Sequence, residues 1–487
     1  FDRFGAVWLS GVEVLRTTTP EPTARGIAWQ VLRDISSVFP ILNSPGNLTL
    51  QIPTLVDKTY TGILHVNVSI DFYMSGVFSG IKPATYVRGL RNRTKPSLDD
   101  ISLPGNQTQI NVLSGLPRNM MQARLEVFAS GHGCEEFWYT TFPEAYVPGQ
   151  ACGGVPYREI EVYVDDVLAG AAYPFPVIYT GGVNPLLWRP LTGIASFDIP
   201  PYSFDLSPFL GPLNDGGAHN ISLAVRGDHS GTWFLDGVLH AELHPTARAL
   251  TGRLLQHADD RPPLRASERG QAGTMTVMAE GSRRVAVVGT LLEPSGAGGG
   301  PGGAARFSVE QRLEARSHNS LVGSGLQIIS GQMNSTSTST SWPAGSRRPL
   351  WSAVSRSCFP YSVYDAYRQD NETMQIGPTR VDYSRQVGVS IRAARSRPHE
   401  LQLSTGASAG ALYKRSRANR SLFYRRNGEG RQWARLEAGG ALRTPCMEAW
   451  VAAEQGATTS SSEPSGHCDW EASGGLYACG LHICRQP

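Results

Sequence analysis

The sequence predicts an all-β protein, with two packed jelly-roll β-sandwiches in the N-terminal half and a further β-rich C-terminal region. Short apolar runs recur along the chain, and 33 prolines and 53 glycines separate them at turn-like intervals. Long helical periodicity is almost absent, and the best short helix or loop candidate covers residues 29–38. A chain of 487 residues exceeds one ordinary domain. We therefore expect domains at 1–125, 126–258 and 259–487.

The predicted strands follow one another along the chain at residues 6–9, 62–73, 124–128, 158–164, 221–225, 284–288 and 307–309. Residues 159–164 come closest to the polar–apolar alternation of a half-buried strand. The glycine-rich stretch 295–305 cannot pack a core, so it predicts a surface loop or linker that joins two strands of one sheet. The Ser- and Thr-rich tract 334–341 predicts a second loop.

Composition excludes several classes of partner. The net charge of +3 combines 44 basic with 41 acidic residues, which argues against a nucleic-acid surface. No apolar run approaches the ~20 residues that cross a bilayer, so no membrane partner is predicted. The eleven histidines show no metal-ligand spacing, and we predict neither a metal nor another cofactor. The chain starts at Phe1 without a methionine or a signal-like segment, so we expect an upstream piece to be missing.

Asparagine acceptors and cysteines indicate the secretory pathway. The candidate glycosylation sites, eight N-x-S/T acceptors, are Asn47, Asn67, Asn92, Asn106, Asn220, Asn334, Asn371 and Asn419. The seven cysteines favour structural disulfides, with Cys134 and Cys152 as a local pair. The alternative is a zinc site whose spacings fit no common finger, with the ligands Cys468, Cys479 and Cys484 plus His467 or His482. We expect a secreted or vacuolar glycoprotein.

The stretch 130–138 is the strongest candidate for a functional site. It crowds two carboxylates, a histidine and a tryptophan together with two glycines and a cysteine. Such a cluster can hold carbohydrate, an amide or a metal ion. Its residues alone leave these three ligands open.

Several motifs, in one order along the chain, resemble the peptide:N-glycosidases, enzymes that remove N-linked glycans from asparagine. Residues 2–9 are similar to the bacterial F-type stretch in which an aromatic-Asp-Arg-aromatic sequence leads into a strand. Residues 130–133 and 133–137 are similar to its Ser-Gly-Trp-Gly and Gly-Cys-Ala-Glu-Trp, and residues 184–190 to its Asn-Pro and Trp-x-Pro segment. This resemblance covers roughly the first 245 residues. The segment 150–159 and the extra C-terminal half resemble the plant A-type amidases over the whole chain.

The resemblance implies an amidase that hydrolyses the side-chain amide of glycosylated asparagine. The intact N-glycan leaves as a glycosylamine that then loses ammonia, and asparagine becomes aspartate. Asp2 takes the position of the catalytic aspartate that activates water, and Glu136 matches the glutamate that binds the first sugars and orients water or the leaving group. Arg3 would hold the Asp2 carboxylate ionised or bind the substrate carbonyl. Trp188 offers an apolar face for a pyranose ring.

This sequence also departs from the F-type pattern. The tryptophan of Ser-Gly-Trp-Gly is His132 here, which we place among the substrate-binding residues. A further F-type glutamate precedes the strand that best resembles residues 62–73, and no glutamate stands in the matching stretch. Either the A-type site works with fewer carboxylates, or Asp57, Glu135 or Asp71 takes that role.

Several candidates also have an ordinary structural explanation. Adjacent residues on a strand face opposite sides, so only one of Glu135 and Glu136 should reach the site, and we predict Glu136. Trp188 is equally suited to fill a core between sheets. Arg158 and Glu159 are predicted to be solvated charges at a strand edge.

The resemblance also sets expectations about conditions and partners. It implies N-glycosylated peptides and glycoproteins as substrates, activity at acidic pH and tolerance of core α1,3-fucose. It implies maturation into two associated chains, with cleavage in the 295–305 loop or at a basic pair such as Arg283-Arg284. The site should lie in the groove between the two sandwiches. Two other functions stay open: a glycan-binding or cell-wall protein without catalysis, and a glycoside hydrolase that uses the same carboxylates.

Overall fold

The computed structural model describes residues 3–20, 26–72, 84–91, 93, 95–146, 153–184, 188, 192–227, 231–271, 273–292, 303–323, 325–343, 345–369, 373–393, 399–418, 421–438, 444–454 and 457–461. Among these residues, no helix has the length and apolar character needed to span a membrane.

Short strands dominate the N-terminal half. They are β1 (Phe4–Leu9), β2 (Val12–Thr18), β3 (Leu48–Gln51), β4 (Tyr86–Gly89), β5 (Ser102–Pro104), β6 (Thr108–Leu113), β7 (Met120–His132), β8 (Glu159–Val164), β9 (Val167–Ala172), β10 (Tyr202–Asp205), β11 (His219–Arg226) and β12 (Thr232–Leu243). The helices are short: α1 (Phe39–Leu42), α2 (Leu210–Leu213) and 3₁₀ segments at Ser36–Val38, Asp99–Ile101, Gly133–Thr140, Glu144–Tyr146 and Ser207–Phe209.

These strands form three stacked sheets. The first has the order β2-β1-β3, the second β10-β7-β12-β4 with β5 beside β12, and the third β6-β11-β8-β9. The β1–β2 hairpin closes tightly because Ser10 and Gly11 both have positive φ, 49° and 80°, as a type I′ turn requires.

The second sheet is covered on both faces. Leu125 and Leu235 belong to the main core, which also contains the apolar residues of β8 and β11. Phe128 and Val238 belong to a second core with Val7 of β1. Successive side chains of a strand point to opposite faces, so β7 and β12 supply both cores. The N-terminal hairpin is thereby seated on the sheet that carries the 130–138 segment.

One large antiparallel sheet makes up the C-terminal half. Its strands are β13 (Thr251–Asp260), β14 (Arg265–Gln271), β15 (Thr274–Leu292), β16 (Ala304–Val322), β17 (Leu326–Pro343), β18 (Trp351–Gln369), β19 (Thr373–Ala393), β20 (His399–Ala418), β21 (Ser421–Ala438), β22 (Thr444–Glu454) and β23 (Ala457–Ser461). β14 pairs with β15, and the others follow in chain order from β13 and β15 onward. β15 and β16 are neighbours, so the glycine-rich stretch joins two strands of one sheet, as predicted; residues 293–302 lie outside the described residues.

The C-terminal sheet packs directly on the N-terminal half. Asn319 Nδ2 donates to the carbonyl oxygen of Tyr139 at 3.0 Å. The Tyr383 hydroxyl accepts a hydrogen bond from the Ile194 backbone N–H at 2.6 Å. The Tyr383 ring stacks on Phe175, with centroids 5.9 Å apart. These contacts make the two halves continuous through a shared core.

The all-β class is confirmed, and the jelly-roll topology stays a prediction. The predicted divisions at 125/126 and 258/259 fall inside β7 and β13. The 29–38 segment contains a 3₁₀ turn at Ser36–Val38 that leads into α1.

Two predicted elements were wrong. Residues 62–72 form no strand within the described chain, because no neighbouring segment pairs with them despite their alternating side chains; residue 73 lies outside the described residues. The tract 334–341 lies in β17 rather than in a loop. It pairs with β16 and β18 on either side, and the threonines suit a paired strand.

Candidate active site

A cleft lies where β7 runs into the 3₁₀ segment Gly133–Thr140. It holds a cavity of about 20 Å³ that is partly open to solvent. Acidic and aromatic side chains line it together: Ala129, Ser130, Gly131, Glu135, Glu136, Trp138, Pro174, Phe175, Val177, Tyr179, Ile199, Pro200, Tyr202 and Trp233. Aromatic rings beside polar groups suit a ligand with one apolar face and many hydroxyls.

Glu135 is fixed at the floor of this cleft and has no exposed surface. Arg158 donates from Nε and Nη2 to its two carboxylate oxygens at 2.7 and 2.8 Å. Trp233 Nε1 donates to the same carboxylate at 2.8 Å. The buried charge is therefore paired and hydrogen-bonded, which ties the 3₁₀ segment to β8 and β12.

Glu136 follows on the same 3₁₀ segment and also lines the cleft. The strand assumption behind our choice between Glu135 and Glu136 was wrong, because β7 ends at His132. A 3₁₀ helix has three residues per turn, so neighbouring side chains are about 120° apart and can share one wall. Both carboxylates border the cleft, and Glu136, which is half-buried, is the more exposed.

Two glycines let the chain turn from β7 into the 3₁₀ segment. Gly133 has a φ of +60°, a left-handed conformation that side chains disfavour. Gly131 lies so close to the segment that a Cβ there would be 2.3 Å from the carbonyl oxygen of Glu135. Backbone geometry therefore requires both glycines of the Ser-Gly-His-Gly motif.

His132 is held between two phenylalanine rings at the end of β7. Phe4 meets it edge-on with centroids 4.1 Å apart, and Phe234 stacks on it at 3.7 Å. Burial and the positive charge of Arg16 lower the pKa of His132 to about 3. The ring is therefore neutral even at mildly acidic pH and presents one donor and one acceptor nitrogen.

Hydrogen bonds connect the start of β1 to the segment beside the cleft. Arg3 N donates to Thr19 Oγ1 at 2.7 Å, and Thr19 N donates to the Arg3 carbonyl at 2.8 Å. Thr180 Oγ1 then donates to the Thr19 carbonyl at 2.9 Å and directly follows Tyr179, which lines the cleft. Arg3 itself is not among the residues that line the cleft, and the contact of β1 with the 130–136 segment is made by Phe4, whose ring meets His132. Asp2 lies outside the described residues.

Asp57 and Trp188 lie elsewhere. Asp57 is exposed in a turn, where the backbone N–H groups of Tyr60 and Thr59 donate to it, both at 2.7 Å, and lower its pKa. It is not among the residues that line the cleft. Trp188 is 2 % exposed, and its Nε1 donates to the Gly182 carbonyl at 3.0 Å. Trp188 therefore fills the core between sheets, as one of the two explanations predicted, and offers no open face to a sugar ring.

The predicted disulfide and the candidate glycosylation sites lie partly within the described residues. Cys134 is disulfide-bonded, and its predicted partner Cys152 lies outside the described residues. Among the glycosylation candidates, Asn47, Asn67 and Asn106 are exposed and Asn220 and Asn334 are partly exposed, whereas Asn92, Asn371 and Asn419 lie outside the described residues.

Charges on β8 are buried rather than solvated, so that prediction was wrong. Arg158 is 1 % exposed and Glu159 has no exposed surface. The C-terminal sheet covers Glu159, because Arg283 pairs with it and also with Asp259, the latter at 2.7 Å, whereas Arg158 pairs with Glu135. Arg283 is buried and pairs with Leu313 of β16, and Arg284 pairs with Asp260 of β13 and Arg312 of β16, so the Arg283-Arg284 bond lies within a paired strand rather than in a loop.

Several residues of the cleft were missed by the sequence analysis, and no local pattern points to them. Trp233 meets Glu135 across 98 positions of sequence, and Arg158 meets it across 23. Phe175 and Tyr179 enter from the irregular segment after β9. Such contacts depend on which strands become neighbours, which local patterns do not encode.

The fold and this site define an all-β protein with an acidic, aromatic-lined cleft beside its N-terminal hairpin. Residues 1–259 match the family model described as peptide N-acetyl-beta-D-glucosaminyl asparaginase amidase A, and the chain belongs to that family. It is 37% identical over 277 residues to the peptide-N4-(N-acetyl-beta-glucosaminyl)asparagine amidase A of Prunus dulcis. That alignment covers 53% of this chain and 48% of the almond protein, so the chain spans about half the length of this relative. No solved structure matches the chain significantly.

Proposed function

We propose that this protein is an amidase that hydrolyses the bond between an asparagine side chain and N-acetylglucosamine, and so releases intact N-glycans from glycopeptides and glycoproteins. The observation that carries the proposal is that Glu135 and Glu136 both line one aromatic-lined cleft, on the segment that Phe4 of β1 contacts through His132. Family membership supports the same reaction class.

In the proposed reaction, a carboxylate activates water for attack on the amide carbon. Asp2, which precedes Arg3 in the chain, takes this role by its resemblance to the family motif. Arg3 stabilises the developing oxyanion or keeps Asp2 ionised. Glu136 orients the first sugar and protonates the departing nitrogen. The C–N bond breaks, the glycosylamine leaves, and the peptide keeps an aspartate.

The pH range of this proposal follows from the groups involved. Carboxylates remain able to accept a proton at mildly acidic pH, where an ordinary histidine is charged. His132 stays neutral there because burial lowers its pKa. We therefore propose activity at acidic pH, together with the tolerance of core α1,3-fucose that the family resemblance implies.

The proposed compartment is the secretory pathway, ending outside the cell or in the vacuole. Exposed acceptors at Asn47, Asn67 and Asn106 and the disulfide at Cys134 support it. We further propose a disulfide to Cys152 and maturation by cleavage in the 295–305 stretch. Such a cut would leave the products joined, because all 19 residues of β15 pair with β16.

Mass spectrometry of a digested N-glycopeptide tests the reaction directly. An amidase leaves aspartate in place of asparagine and an intact chitobiose on the free glycan. A glycoside hydrolase leaves asparagine with or without a sugar stub, and that product would refute the proposal. Binding of the glycopeptide without any product would instead identify a glycan-binding protein.

Glu136→Gln tests the proposed proton donor. We expect turnover to fall by about 10²–10⁴-fold, the usual contribution of a positioned acid–base group. Glu144→Gln is the matched control, because Glu144 is exposed and is not among the residues that line the cleft. The control should keep wild-type turnover, and equal losses in both variants would contradict the assignment.

A further inference from the structure

A buried polar network crosses the contact between the N-terminal hairpin and the second sheet. At its centre is Arg16 of β2, which has no exposed surface. Its Nε and Nη2 donate to the two carboxyl oxygens of Glu13, both at 2.8 Å. These bonds stay within the hairpin and orient the guanidinium toward the second sheet.

The remaining nitrogen of Arg16 binds the second sheet at two strands. Nη1 donates to the Phe234 carbonyl of β12 at 2.6 Å and to Ser130 Oγ of β7 at 3.3 Å. One side chain therefore fixes the hairpin relative to both central strands. Ser130 belongs to the cleft lining, and Phe234 stacks on His132.

The network continues into His132. A guanidinium has donors only, so Ser130 Oγ must act as the acceptor toward Arg16. The Ser130 hydroxyl hydrogen then remains for His132 Nε2, which lies 3.3 Å away. If Nε2 accepts, the neutral ring carries its hydrogen on Nδ1. Phe4 and Phe234 enclose this ring, and burial together with the charge of Arg16 disfavours its protonation.

We propose that Arg16 is a positioning residue that, through Ser130, holds His132 in the neutral Nδ1–H tautomer and aligns the hairpin that begins after Arg3 with the segment that carries Glu136. The two parts of the site lie on separate elements more than 100 residues apart in sequence. Arg16 connects them by hydrogen bonds to both. The kinetic consequence rests on the proposed amidase function, whereas the tautomer assignment does not.

Nitrogen-15 NMR of the full chain, labelled at histidine, tests the tautomer independently of activity. The His132 signals are identified by their loss in His132→Gln. At about pH 5 we expect the wild-type ring to be neutral with a protonated Nδ1. Ser130→Ala and Arg16→Met should each shift these signals toward the Nε2–H tautomer. A wild-type ring protonated on Nε2, or one unchanged by both substitutions, would overturn the assignment.

Arg283→Met provides the matched control. Arg283 is buried to a similar degree and pairs with buried glutamates, but it lies between β8 and the C-terminal sheet. Its loss should lower the melting temperature as Arg16→Met does, while the His132 signals stay unchanged. Ser130→Ala keeps the Arg16–Glu13 pair, so it tests the link even if Arg16→Met folds poorly.

Steady-state kinetics on a glycopeptide tests the alignment. Arg16→Met should lower kcat about 10- to 100-fold, as expected for small misplacements of reacting groups, and Arg283→Met should retain the wild-type kcat. KM should change less than about threefold, because the sugar contacts remain. Wild-type kcat in Arg16→Met would refute the positioning role. A wild-type chain without turnover would refute the amidase proposal, and the NMR result would still decide the Arg16–His132 link.

Discussion

Replacing Gly131 with alanine should lower turnover markedly in a protein that still folds. Gly131 lies in β7 against the 3₁₀ segment, and an added Cβ would be 2.3 Å from the carbonyl oxygen and 2.8 Å from the carbonyl carbon of Glu135. Both atoms belong to the backbone, so no side-chain rotation relieves the contact. The segment that carries Glu136 must move.

The geometry sets the size of this movement. Opening the contact from 2.3 Å to 3.0 Å, the shortest separation that a real Cβ tolerates, takes at least 0.7 Å. Overpacking of this kind costs about 1–3 kcal/mol of folding free energy. A displacement of about 1 Å in a catalytic arrangement lowers the rate about 100-fold. We therefore expect kcat to fall by roughly that factor in a protein that still folds.

Gly133→Ala is the control, because it changes the same turn without crowding. Gly133 has a φ of +60°, and no atom lies within 4 Å of an added Cβ. The strain of a left-handed alanine is about 1–2 kcal/mol, comparable to the cost at Gly131. Thermal unfolding measures the stability of both variants, and steady-state turnover measures their kcat, so the two effects are compared in the same proteins. Wild-type kcat in Gly131→Ala, or an equal loss in Gly133→Ala, would refute the reasoning.

Three further predictions concern stability. Arg158→Met should destabilise the fold by about 3–5 kcal/mol in denaturant titrations, because it leaves the Glu135 charge buried without its partner; a loss below about 1 kcal/mol would contradict this. Burial raises the pKa of Glu13 from 4.5 to about 8; the charge of Arg16 opposes this shift, and that of Asp236 adds to it. The folded state therefore favours the neutral carboxyl, and the stability that this proton contributes is fully present below pH 4.5 and is lost as pH rises toward 8. Unfolding measured across this range should therefore show stability falling with pH, and Asp236→Asn should flatten the slope; a rising curve would exclude this. Burial opposes charging of His219, yet the hydrogen bonds that its ring donates to Asp165 and Asp215 raise its pKa. His219→Gln should therefore lower the melting temperature more at about pH 5 than at about pH 8, and the reverse order would be inconsistent with that shift.

The alternation of a short segment predicted some strands correctly, as in β8. Ile160, Val162 and Val164 predict β8, and all three lie in the main core. The alternation does not show what covers the other face. Glu159 looks solvated until Arg283 of β15 reaches it across 124 positions of sequence. Residues 62–72 show the converse, since their alternation is clear but no strand in the described chain pairs with them.

The candidate site was predictable in position but not in construction. The crowding of Glu135, Glu136 and His132 indicates a functional segment, and the cleft lies there. Which glutamate is anchored depends on Arg158 and Trp233, which arrive from other strands. The strand-to-3₁₀ transition also escaped prediction, because it follows from the close approach at one glycine and the positive φ at the next.

The packing of Tyr383 and Asn319 on the N-terminal half shows that the family match and the folding unit end at different places. The match stops at residue 259, yet the cleft residue Phe175 and its neighbour Tyr139 are covered by β16, β18 and β19. A chain cut at residue 259 would expose these rings, each burying roughly 150–250 Å². We expect such a fragment to aggregate rather than act alone. In this protein the C-terminal sheet covers apolar rings of the portion that matches the family, much as a bound partner would.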